Sequence, residues 1–77
     1  MKIFFYTGPQ CSLCDLADVE LQNASSFSEL NVEKLNIRDS TDLYHLYGAR
    51  IPVLKREDNG KELGWPFTTA DVEAFLQ

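Results

Sequence analysis

Cys11 and Cys14 sit two residues apart directly behind a short apolar run, and that placement restricts the fold more than any other feature of the chain. Ile3 to Tyr6 reads as a strand, Thr7-Gly8-Pro9-Gln10 as a tight loop, and Ser12 onward as a helix. The order strand, loop, helix puts a dithiol at a helix N-terminus, where unpaired backbone N–H groups and the helix dipole favour negative charge. A thiolate is the attacking species in disulfide exchange, so such chemistry would be sited here. The chain has no other cysteine. The pair is local.

A chain of 77 residues is expected to form one domain, residues 1–77. A domain of that size buries only about 60% of the surface its unfolded chain exposes, so its core comes from a few strands and helices. Seven basic against twelve acidic side chains give a net charge of −5. That balance, with no basic cluster to offset it, disfavours nucleic acid and anionic membrane as partners. Met1 to Tyr6 has the charge and apolar residues of a signal peptide in outline, but the run stops at Thr7-Gly8-Pro9, and nothing reaches membrane-spanning length. Two cysteines are too few for a secreted disulfide scaffold. The expectation is a cytoplasmic, monomeric protein.

Leu13, Leu16, Ala17, Leu21 and Ala24 recur at helical spacing and predict a first helix from Ser12 to Asn23 or Ala24. On that wheel Cys14 borders the apolar face beside Leu21, whereas Cys11 points away at the first turn. One sulfur is expected exposed and the other sheltered. Glu20 falls inside the apolar arc with no evident partner. Val32 to Ile37 predicts a second strand with Leu35 and Ile37 on one face. Asp39, Ser40 and Thr41 offer N-cap chemistry for a short helix that carries Leu43, Leu46 and Tyr47 and ends at Gly48. A third strand begins at Ile51-Pro52-Val53, Asn59-Gly60 predicts a two-residue hairpin turn, and Lys61 to Leu63 returns as a fourth strand. Thr68 or Thr69 caps a last helix that packs Val72, Phe75 and Leu76. Both helical crossovers imply parallel strands, and the hairpin makes the last pair antiparallel.

Thr7-Gly8-Pro9-Gln10-Cys11-Ser12-Leu13-Cys14, followed by Ala17 and Leu21, resembles the redox motif and first helix of glutaredoxins. Tyr47-Gly48-Ala49-Arg50-Ile51-Pro52-Val53 resembles the segment of thioredoxins and glutaredoxins that carries a cis-proline beside the dithiol. The Cys-x-Leu-Cys-Asp start and the Arg-Ile-Pro-Val segment are similar to those of the small bacterial glutaredoxin-like family. The resemblance implies an α/β, minimal thioredoxin-like fold, a four-stranded mixed sheet with flanking helices in the order β-α-β-α-β-β-α. It also implies a thiol–disulfide oxidoreductase with no bound cofactor. Cys11 would attack a protein or small-molecule disulfide, and Cys14 would resolve the mixed disulfide. Ile51 and Pro52 would present backbone groups to an extended substrate.

Other residues have two readings. Arg50 could hold a carboxylate of a peptide or of glutathione, or serve as a surface cation. Trp65 could line the rim of the dithiol or pack over the last helix. His45 falls opposite Leu43 and Leu46 and reads as a solvated surface residue. Asp15 suits the first turn of a helix, although its charge opposes thiolate formation nearby. Glutathione as reductant stays open, since Thr7-Gly8, Arg50-Ile51-Pro52 and Gly64-Trp65-Pro66 stand where glutaredoxins keep their glutathione anchors, and two of those three are altered. The alternative is a binding module of thioredoxin fold or a soft-metal carrier with little turnover. Copper(I) carriers also place Cys-x-x-Cys after a first strand. Their element order ends on a strand, however, and they have a methionine shortly before the first cysteine, where this chain has none. A closed zinc site needs four ligands, and His45 is the only histidine. No resident metal is expected.

Overall fold

A computed structural model describes all 77 residues. The elements are β1 (Lys2–Thr7), α1 (Ser12–Gln22), β2 (Asn31–Asn36), α2 (Thr41–Tyr47), β3 (Val53–Arg56), β4 (Glu62–Gly64) and α3 (Thr69–Phe75). Short 3-10 turns at Phe27–Glu29 and Ile37–Asp39 bracket β2. The four strands form one mixed sheet in the order β2-β1-β3-β4, which with three flanking helices is a thioredoxin-like arrangement.

β1 is central and covered on both faces, which is why it reads as an unbroken apolar run rather than an alternating one. Ile3 and Phe5 join Leu54 of β3 beneath α1 and α3, where Cys14, Ala17, Leu21, Ala24, Phe67 and Val72 complete the main core. On the opposite face Tyr6 and Val53 meet Ile37 and Tyr47 in a smaller cluster. There the rings of Tyr6 and Tyr47 stack with centroids 4.2 Å apart.

The direction of β3 differs from the sequence expectation. β1 and β2 are parallel, but β3 runs antiparallel to β1, with Tyr6 opposite Val53. Lengths explain the difference. A six-residue strand spans about 20 Å, whereas the seven-residue α2 rises only about 10 Å. The helix cannot carry the chain back along the sheet, so β3 starts at the end where β1 and β2 finish. That end is where the dithiol loop begins, so the short crossover brings the Ile51–Pro52 segment to the end of β1 from which that loop departs.

Three leucines expected in the core lie outside it. Leu13, Leu16 and Leu46 are exposed, because each helix of so small a domain buries a narrow arc. In α1 that arc is Cys14, Ala17 and Leu21, and in α2 it is Tyr47 alone. Glu20 is accounted for: the Thr69 hydroxyl donates to its carboxylate at 2.6 Å and ties α1 to α3. The Asn-Gly turn also differs from expectation. Glu57 to Gly60 form a four-residue loop closed by Arg56 N–H on the Lys61 carbonyl, and Gly60 alone is left-handed, at φ 72°.

The caps follow from local chemistry. Ser40 Oγ accepts from Leu43 N–H at the start of α2. Thr68 and Asp71 form a reciprocal capping box on α3. The far end of α3 has no basic residue of its own, and Arg56 supplies one. Its guanidinium forks onto the Asp58 carboxylate at 2.9 and 2.7 Å and donates to the carbonyls of Phe75 and Gln77 at 2.8 and 2.6 Å. A cation on those last carbonyls satisfies acceptors that the helix leaves unpaired. Asp58 is held below the usual carboxylate range by the Arg56 hydrogen bonds.

Candidate active site

The dithiol stands where β1 gives way to α1. Gln10 adopts a left-handed backbone, φ 54°, which turns the chain out of the strand and into the helix. Cys11 is the N-cap of α1, extended at φ −103° and ψ 96°, and its Sγ accepts the Cys14 N–H at 3.1 Å. A cap residue normally offers an oxygen to that orphan N–H; here sulfur takes the place. Cys11 and Cys14 are joined by a disulfide, with Cα atoms 5.2 Å apart. Cys14 is 5% exposed and belongs to the main core, whereas Cys11 is half-buried at its border. The two sulfurs thus differ in access, and the accessible one receives the N–H. Asp15 follows in the first turn and is exposed.

Ile51 and Pro52 flank this loop, with the peptide bond between them cis. Ile51 borders both apolar clusters, and Pro52 is buried. A Cβ on Gly8 would lie 2.9 Å from Ile51 Cδ1, so the loop ahead of Cys11 and the Ile51 side chain touch closely, and glycine allows it. The Pro52 carbonyl accepts the Trp65 N–H at 3.1 Å. Outside the helices and strands, no backbone hydrogen bond ends on the Ile51 carbonyl.

Trp65 is half-buried, meets Phe67 edge to face with ring centroids 5.1 Å apart, and packs against the main core, which Cys11 also borders. Arg50 goes elsewhere. Its guanidinium donates to Glu62 Oε1 at 2.8 Å and lies over the Tyr47 ring on the opposite face of the sheet. The carboxylate it holds belongs to this chain. His45 is exposed. Nowhere do three or more His, Cys, Asp or Glu side chains gather as a metal site would require. No helix is long and apolar enough to cross a membrane.

Sequence reasoning missed Tyr47 and Glu62 as a pair. The Tyr47 hydroxyl donates to Glu62 Oε2 at 2.5 Å. Burial and that acceptor push the phenol well above its ordinary value, while the phenol and then Arg50 hold Glu62 below the usual carboxylate range. Fifteen residues separate the partners, and only the β4 register joins them. No local pattern announces the contact.

A dithiol at a helix N-terminus beside an Ile-Pro corner, on a sheet of this order, is the arrangement of the thioredoxin superfamily. Within it, the model of the "Glutaredoxin-like domain (DUF836)" family matches residues 2–77, and the chain belongs to that family. The chain is similar to the Northeast Structural Genomics target protein XcR50 from X. campestris. The solution structure of XcR50 is 36% identical, with a TM-score of 0.82, covering 99% of this chain and 92% of that one. Its X-ray structure gives 30% identity, a TM-score of 0.78, and coverage of 96% and 93%. Thioredoxin 1 from Thermosipho africanus, 16% identical with a TM-score of 0.72 over 99% and 90% of the two chains, shares the fold. Comparison with curated proteins gave no match.

Proposed function

We propose that the protein is a thiol–disulfide oxidoreductase in which Cys11 attacks and Cys14 resolves. The observation that carries this reading is the unequal access of two bonded sulfurs at the N-terminus of α1. In the reduced protein the Cys11 thiolate attacks a substrate disulfide, forms a mixed disulfide and expels one substrate sulfur as a thiolate, which takes up a proton. The Cys14 sulfur, deprotonated, then attacks Cys11 Sγ, forms the Cys11–Cys14 bond and expels the second substrate sulfur. Two electrons and two protons pass from the dithiol to the substrate, and an external thiol must restore it. The Cys14 N–H and the helix dipole favour the Cys11 thiolate, against the nearby charge of Asp15.

Ile51, Pro52 and Trp65 form the wall on which a substrate chain lies, with the Ile51 carbonyl as acceptor for a substrate N–H. Substrates are protein or small-molecule disulfides, and the compartment is the cytoplasm, where the protein acts as a monomer. Glutathione serves at most as reductant. Its carboxylates find no free cation in Arg50, whose guanidinium is engaged by Glu62.

Mass spectrometry of the purified protein during turnover tests this directly. Reduced protein mixed with a disulfide-linked peptide should lose two hydrogens and release one equivalent of each peptide thiol, and dithiothreitol should restore the mass. A stoichiometric copper adduct with no peptide reduction would favour the soft-metal carrier instead.

A further inference from the structure

The Ile51–Pro52 corner is held from the far face of the sheet. The amides of Arg50 and Ile51 both donate to the Tyr47 carbonyl, at 2.8 and 3.0 Å. Tyr47 is itself pinned at its side chain: the ring stacks on Tyr6, and the hydroxyl donates to Glu62. Arg50 closes the loop, since its guanidinium reaches the other oxygen of the same carboxylate and lies 5.3 Å from the centre of the Tyr47 ring. Glu62 is a fixed point because β4 pairs it with Lys55 of β3. On the far side of the corner, Trp65 N–H holds the Pro52 carbonyl. Ile51 Cδ1 packs against Gly8, three residues before Cys11, where an added Cβ would stand only 2.9 Å from it.

We propose that Tyr47, Glu62 and Arg50 are positioning residues whose clamp sets where the Ile51–Pro52 corner stands relative to Cys11, and so how tightly a disulfide-bearing peptide engages the dithiol. The proposal rests on the exchange function proposed above. None of the three side chains touches either sulfur. Their effect reaches the substrate through the backbone that Tyr47 holds. The carboxylate at the centre faces Tyr47 from α2, Arg50 from the α2–β3 connection and Lys55 from β3, with Tyr6 of β1 behind the ring. All of these favour its ionised form or leave it undisturbed, so the clamp is closed at neutral pH.

Tyr47→Phe keeps the ring stack and removes only the hydroxyl bond. It should raise KM for a disulfide-linked peptide about three- to tenfold, with kcat changed less than about twofold, because one lost hydrogen bond loosens positioning and leaves both sulfurs in place. The amides of Arg50 and Ile51 should exchange about threefold or more faster with deuterium, a readout that needs no substrate. Glu62→Gln, which retains an acceptor without the charge, should shift both quantities the same way by less. A parent protein that reduces no disulfide would overturn the function and with it the clamp's role in substrate engagement. A parent that does reduce them, while Tyr47→Phe and Glu62→Gln match its KM and its amide exchange, would overturn the clamp alone.

Discussion

Cys11→Ser abolishes peptide-disulfide reduction, lowering the rate by a factor on the order of 10³ or more, the scale seen when an enzyme loses its nucleophile. The reason is chemical. A serine hydroxyl does not ionise near neutral pH, and oxygen cannot form the mixed disulfide through which exchange proceeds. The partner sulfur is poorly placed to take over, since Cys14 is only 5% exposed and belongs to the main core. The fold should survive, because serine is among the best N-cap residues and its oxygen can accept the Cys14 N–H that sulfur accepts now. The loss is therefore read as chemistry when circular dichroism of the variant matches the parent. A Cys11→Ser protein that keeps more than about a tenth of the parent rate would mean that the chemistry resides elsewhere.

Phe5→Ala removes from about a quarter to all of the folding stability of the domain. Phe5 is 2% exposed, sits in the central strand and packs in the main core with the residues of α1 and α3. Removing a buried phenylalanine ring costs about 3–5 kcal/mol. A domain of 77 residues has about 4–12 kcal/mol of stability in all. The thermal midpoint should fall by roughly 12 °C or more, at about 4–8 °C per kcal/mol for a domain this small. Phe4→Ala, one residue earlier, is the control. That ring is half-buried on the opposite face, beside Lys2, and its loss should cost at most about half as much. Equal losses at the two positions in a denaturant titration would contradict the strand register on which the core rests.

The dithiol and its setting were legible in the sequence because they are local. An apolar run, a Gly-Pro loop and a helical period within 24 residues suffice to place Cys11 at a helix start and Cys14 on the buried side. The caps were legible for the same reason: the sequence offers Thr68 or Thr69 for α3, and the structure selects Thr68, with Asp71 three positions on. The direction of β3 was hidden because it depends on whether a helix is long enough to return the chain along the sheet, a comparison of lengths rather than a pattern. Leu13, Leu16 and Leu46 satisfy the helical period yet face solvent, since periodicity marks an apolar stripe wider than a small sheet can cover. In the sequence Arg50 is a cation for a substrate carboxylate or simply for the surface, because its partner, Glu62, comes alongside only through the β3–β4 ladder. The Arg56 cage around the end of α3 is tertiary in the same way, joining residues 19 and 21 positions apart.

Exchange at a single accessible sulfur is tested most directly by trapping it. Reduced Cys14→Ser protein, incubated with a disulfide-linked peptide and analysed by intact mass and peptide mapping, should accumulate one peptide adduct, bonded to Cys11 and released by dithiothreitol. Absence of an adduct there, with the peptide instead captured by Cys14 in Cys11→Ser protein, would contradict the assignment of attack to Cys11.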